Sequence, residues 1–242
     1  MRTKTLLLSA VALLAAGIVS SQAQPVYSQN VVGYATVSVP ASFTLMTTPF
    51  QIGVSNGANE IFGTSLPDTT QIYIWDQLHG KFIIDFYDTG GGFNTNPWLM
   101  SDDATPTNPP VLAAGKGFFL FPPSPLTNTF AGVVGVNVGA TNNMALAAAF
   151  NLVGSVIPAS GALTNATINL VGLPDTTQIY MWDQQHGKYI IDFYDTGGGF
   201  NTNPWLMSDD STPTNTPTIT VGQGMFIFPP STYTWAQTLP SN

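Results

Sequence analysis

The chain has 242 residues and a formal net charge of −8, with 13 acidic against 5 basic side chains, abundant aromatic residues and no cysteine. An acidic balance argues against a nucleic-acid partner, because displacing counterions from phosphates takes a basic surface. The lack of cysteine excludes thiol catalysis and cysteine metal sites, and the aromatic and β-branched content sets the chain apart from disordered sequences.

Arg2 and Lys4 precede an apolar run from Leu6 to Val19, followed by the small-x-small site Ser21-Gln22-Ala23. That order of charge, apolar core and cleavage site predicts a secretory signal peptide over residues 1–23. The run falls short of the roughly 20 apolar residues of a membrane helix. The expected product starts near Gln24, is secreted or held at the cell surface, and has no membrane span; the periplasm is the other compartment the leader allows.

Runs at Val31 to Val39, Phe43 to Phe50, Gln71 to Asp76, Phe82 to Tyr87 and Gly117 to Phe121 are short, β-branched or aromatic, and bounded by Pro, Gly, Asn and Ser. These are strand and turn signals. The one helical candidate, Met144 to Phe150, is short. Gln71 to Asp76 and Phe82 to Asp88 predict a hairpin. With His79 and Gly80 as its two central turn residues, Trp75 opposes Ile84, Tyr73 opposes Phe86 and Ile74 opposes Asp85, which makes the aromatic face the buried one. From Thr89 to about Pro110 the glycines, asparagines and prolines predict a long ordered loop folded onto the domain.

The segment Asp68 to Asn108 returns at Asp175 to Asn215, 107 positions later, with only four changes: Ile74/Met181, Leu78/Gln185, Phe82/Tyr189 and Ala104/Ser211. The phase extends to Phe43 and Phe150, and to Gly115, Gly117 and the Phe121-Pro122-Pro123-Ser124 run, which meet Gly222, Gly224 and Phe228-Pro229-Pro230-Ser231. The expected fold is therefore all-β, two tandem, internally duplicated β-sandwich or jelly-roll-like domains over residues 24–130 and 131–242. Upstream of the block the copies have diverged widely. Recent copying of the block and a demand for two identical surfaces both account for its near identity.

Asp68, Asp76, Asp85, Asp88, Asp102, Asp103 and their counterparts hold twelve of the thirteen carboxylates. Asp85, Asp88, Asp102 and Asp103, with Asp192, Asp195, Asp209 and Asp210, offer hard oxygen ligands of the kind calcium takes. The plainer reading is a solvated acidic face, with no cofactor. Asp88-Thr89-Gly90 and Asp195-Thr196-Gly197 superficially resemble the paired loops of an aspartic protease. Asp85 in the preceding strand and Gly91 after the triplet depart from that pattern, so no catalytic residue is assigned. His79 and His186 read as turn residues, and no serine- or zinc-hydrolase motif occurs. The candidate glycan-binding set is Trp98, Tyr87, Asn94 and Asn96, with Trp205, Tyr194, Asn201 and Asn203, in which rings stack on sugars and amides meet hydroxyls. Trp75, by its hairpin register, reads as core.

Asn30-Val31-Val32-Gly33-Tyr34, Phe43-Thr44-Leu45, Phe150-Asn151-Leu152 and Gly115-Lys116-Gly117-Phe118-Phe119 resemble a group of exported all-β repeat proteins of environmental Gram-negative bacteria. The resemblance implies export and an all-β fold, and carries no activity. The expected role is that of a non-enzymatic structural or adhesive protein of the cell surface, an extracellular matrix or a fibre, partnered by itself or other surface proteins. The alternative is a bivalent carbohydrate-binding module that takes glycans, with or without calcium.

Overall fold

The computed structural model describes residues 31–63, 66–89, 97–102, 105–196, 204–209 and 212–241. The expected leader lies outside them, as do Asn94, Asn96, Asp103, Asn201, Asn203 and Asp210. In chain order the strands are β1 (Val32–Val39), β2 (Thr44–Thr47), β3 (Phe50–Gln51), β4 (Thr70–Asp76), β5 (Lys81–Tyr87), β6 (Trp98–Leu99), β7 (Gly117–Phe121) and β8 (Leu126–Val134). They continue as β9 (Thr141–Leu146), β10 (Asn151–Gly154), β11 (Gly161–Ala162), β12 (Thr177–Asp183), β13 (Lys188–Tyr194), β14 (Trp205–Leu206), β15 (Thr218–Ile219), β16 (Gly224–Phe228) and β17 (Tyr233–Thr238). One short helix, α1 (Ala58–Phe62), follows β3. The chain is all-β, and the helical candidate at Met144 to Phe150 is the end of β9 and a bend.

Two five-stranded antiparallel sheets dominate, ordered β2-β7-β4-β5-β6 and β10-β16-β12-β13-β14. Each strand of the first has its counterpart in the second 107 residues on. Behind the first lies β1-β8-β3; behind the second lie β9-β17 and β11-β15. Strand β8 runs through the expected join at 130/131, so the passage between halves falls later, in the turn that precedes β9. β8 is needed on both sides of that point, because it pairs with β1 along its length and with β3 at Val134 and Val133.

Alternation decides what each sheet face meets. In β4 and β5 the face of Ile72 and Tyr87 packs into the first half's own core with Trp98, Phe118, Phe130 and Phe62. The equivalent core of the second half gathers Ile179, Trp205, Ile227 and Trp235. The opposite face carries Tyr73, Trp75, Phe82 and Phe119, and it packs against Tyr180, Trp182, Tyr189 and Phe226 of the other half. The rings meet mostly edge to face, as their quadrupoles favour: Trp75 lies 5.4 Å from Phe226 and Trp182 lies 5.3 Å from Phe119. The aromatic face is thus covered, but by the other half rather than by its own domain.

The hairpin register corrects the expected one by two residues. Trp75 pairs with Phe82, Tyr73 with Ile84 and Ile72 with Asp85. Gln77 to Gly80 form a four-residue turn in which the Asp76 carboxylate accepts the amides of Leu78 and His79. A slip of two preserves which side chains share a face, so the facial assignment survived a wrong turn length.

At the seam the halves also exchange backbone bonds. Thr47 N–H donates to Gly222 O and Gly154 N–H to Gly115 O, each at 2.9 Å. Trp75 Nε1 donates to Phe150 O at 2.9 Å and Trp182 Nε1 to Phe43 O at 2.7 Å. Gly154 and Gly224 permit this approach: a Cβ at Gly154 would stand 2.2 Å from Thr47 Cγ2, and one at Gly224 2.8 Å from Met46 O.

Candidate functional site

Of the residues expected to meet a glycan, Trp98, Tyr87 and Trp205 are buried. Trp98 is fully buried, its ring centroid is 5.1 Å from that of Tyr87, and its Nε1 donates to Asn59 Oδ1 at 2.7 Å. Trp205 is 1% exposed and packs edge to face on Tyr194. Neither offers a ring to solvent. The reason is that Trp98–Leu99 and Trp205–Leu206 add a fifth strand to each sheet, with Trp98 paired to Tyr87 and Trp205 to Tyr194 on the core face. A two-residue strand is too short to show a period in sequence, so both read as loop.

The described aspartates act mostly as acceptors that anchor backbone amides, some within a turn and some across the hairpin base. Asp68 Oδ1 accepts from Thr89 N and Oγ1, and Asp175 does the same for Thr196. Each Asp-Thr-Gly threonine is therefore engaged within its own half. Asp102 accepts from Thr105 N at 2.8 Å, and Asp209 from Thr212 N at 2.8 Å. Asp76 Oδ2 lies 2.5 Å from His79 Nδ1, and that contact leads in holding its carboxyl below the usual range; Asp183 and His186 repeat it. Asp85 and Asp192 stand apart in mid-strand, 8% exposed, and burial pushes both carboxyls up. Among the described residues no three or more His, Asp or Glu gather around one point, so Asp85, Asp88 and Asp102 form no shared cluster, nor do Asp192, Asp195 and Asp209.

Two further features lie away from these residues. The first is a pair of clefts along the seam. The larger, about 460 Å³, lies between Trp75, Gln77 and the Ala113 to Lys116 turn on one side and Asn142 to Ala145 on the other. The smaller, about 210 Å³, lies between Trp182, Gln184 and Thr220 to Gln223, and Val37, Ser38 and β2. Every residue lining the smaller cleft has its 107-residue counterpart in the larger. The recurring Gly-x-Gly that opens β7 and β16 was the available signal, but it read as turn scaffold rather than as a contact between copies.

The second is the edge of β1. This strand pairs with β8 on one side, and Val134 N–H donates to Val31 O at 2.7 Å. Hydrogen-bonded pairs alternate along an antiparallel ladder. Gly33, Ala35 and Val37 therefore bond inward to β8, and Val32, Tyr34 and Thr36 aim their backbone groups at the other edge, which pairs with no strand among the described residues. Val32 is 73% and Tyr34 80% exposed. No formal charge and no proline lie between Val31 and Val39.

Among the described residues no helix is long and apolar enough to cross a membrane. A scan against protein-family profiles and searches of characterised proteins and of solved structures find no significant match to the chain.

Proposed function

We propose that the chain is an exported, non-catalytic structural protein that joins copies of itself by strand addition at β1, building a layer or fibre outside the cell. The observation that carries this reading is the uncharged, proline-free edge of β1 with Val32 and Tyr34 in solvent. Such edges are ready templates for another strand, and proteins that must stay monomeric blunt them with lysine, proline, bulges or a covering element. The edges of the two five-stranded sheets are managed differently. β2 and β10 are engaged through Thr47 and Gly154 with the opposite half, and β6 and β14 are two residues long. The carboxylates concentrated in the repeated blocks stay off β1, so like charge does not oppose contact there.

Sedimentation velocity across a concentration series, with electron microscopy of the concentrated sample, tests the reading. Oligomers that grow with concentration are expected. Thr36→Pro removes an amide that faces the open edge and spares the β8 ladder, so it should abolish growth while the chain stays folded. Ala35→Pro removes a ladder amide and should unfold β1 instead. A chain that stays monomeric at all concentrations, or one that assembles unchanged with Thr36→Pro, overturns the proposal.

A further inference from the structure

We propose that the larger seam cleft binds a saccharide unit bearing a carboxylate, of the uronic acid type. At about 460 Å³ it falls within the roughly 300–1,000 Å³ common for small-molecule sites, whereas its counterpart at about 210 Å³ does not. The difference follows from side-chain size. Ala113 and Ala114 line the larger cleft where Thr220 and Val221 line the smaller. Met144 in place of Val37 works the other way without closing it.

The two clefts also differ in chemistry where the halves diverge. Lys116 lines the larger one and Gln223 the smaller. Asn142 and Asn143 line the larger, while their counterparts are Ala35 and Thr36. Among the described residues no carboxylate lines the larger cleft and Lys116 makes no ion pair. The Lys116 backbone is held from both sides: its N–H donates to Ala113 O at 2.9 Å and its carbonyl accepts Thr47 Oγ1 at 3.0 Å. The wall behind it is fixed as well, since Gln77 Nε2 donates to Asn151 Oδ1 at 2.8 Å and Trp75 Nε1 to Phe150 O.

These groups select a ligand class. An ammonium favours a carboxylate, and an asparagine amide, from Asn142 on one face of β9 or Asn143 on the other, supplies donors and an acceptor suited to a hydroxyl. Trp75 and the exposed Val111 give apolar surface for the C–H face of a sugar ring. A neutral sugar would forgo the Lys116 ammonium, and an apolar carboxylate would forgo the asparagine amide. The chain's net charge of −8 acts weakly at this point, because at physiological ionic strength it is screened beyond about 8 Å. The site is independent of the β1 edge, so assembly and binding can fail separately.

The test titrates digalacturonate, digalactose and benzoate into the isotope-labelled full chain and follows amide shifts. Digalacturonate is expected to shift resonances of Ala113 to Lys116 and Asn142 to Ala145. Binding should weaken about ten-fold in Lys116→Gln, the loss of one charge-assisted hydrogen bond. The double variant Ala113→Thr with Ala114→Val, which installs residues the other half already carries, should abolish it and leave the remaining spectrum folded. Digalactose and benzoate should bind at least about ten-fold more weakly than digalacturonate. The proposal is overturned by shifts absent from the cleft, by equal binding of digalactose or benzoate, or by unchanged affinity in Lys116→Gln.

Discussion

Asp85 and Asp192 are the side chains whose placement most resists their chemistry. Each sits in mid-strand opposite an isoleucine, Ile72 or Ile179, and burial raises its pKa. A raised folded pKa means that the folded chain holds the proton to higher pH than the unfolded chain does. Stability from these groups therefore falls as pH rises from the ordinary carboxylate value, about 3.9, through the folded value, and the cost persists at neutral pH. Asp85→Asn and Asp192→Asn should raise the melting temperature at pH 7, and the gain should vanish near pH 3; a thermal melt series across pH checks this. Glu60 has the opposite sign. Its carboxylate accepts the amides of Val54, Ser55 and Gly57, which hold its pKa at about 2. That contribution is present above the ordinary value and is lost as pH falls through about 2, so Glu60→Gln should lower stability at pH 7 and make progressively less difference as pH falls to 2 and below. At this scale the sequence was a partial guide. Aspartate clustering was visible, but Asp68, Asp76 and Asp102 each anchor backbone amides, a use that composition cannot separate from metal binding.

At the scale of elements, strands were legible because their alternation and turn residues are local. β1, β4, β5 and β7 lie where those signals put them. The turn length of the β4-β5 hairpin was not legible, because the Asp76 carboxylate caps a four-residue turn and His79-Gly80 mimics a two-residue one. β6 and β14 escaped notice for lack of length. The Gly-x-Gly signature was visible but its meaning was not, since a glycine needed for close approach looks like a glycine needed for a turn. Gly154→Ala and Gly224→Ala should each cost about 1–3 kcal/mol by overpacking the seam. Gly135→Ala, whose Cβ meets nothing within 4 Å, should cost much less. Equilibrium denaturation of the three variants gives the comparison.

At the scale of the whole molecule, each strand of the first five-stranded sheet has a counterpart 107 residues on, and the aromatic faces of the two sheets cover each other. A face of aromatic residues reads as core, and nothing local says that the atoms covering it come from 107 residues away. Trp75 touches Phe150 and Phe226, and Trp182 touches Phe119, so neither half can bury its rings alone. Strand β1 reaches the seam at Val37 and Ser38, and its edge at Val32, Tyr34 and Thr36 is what assembly would use. If the halves are one unit, damage to the seam from one side must be felt in the other half. Native-state hydrogen exchange of Trp75→Ala measures this directly, read at the amides of β7 in the first half and β16 in the second. The account predicts that both strands lose protection by the same amount, on the order of 3 kcal/mol. Loss confined to β7, with β16 as protected as in the parent chain, would contradict it.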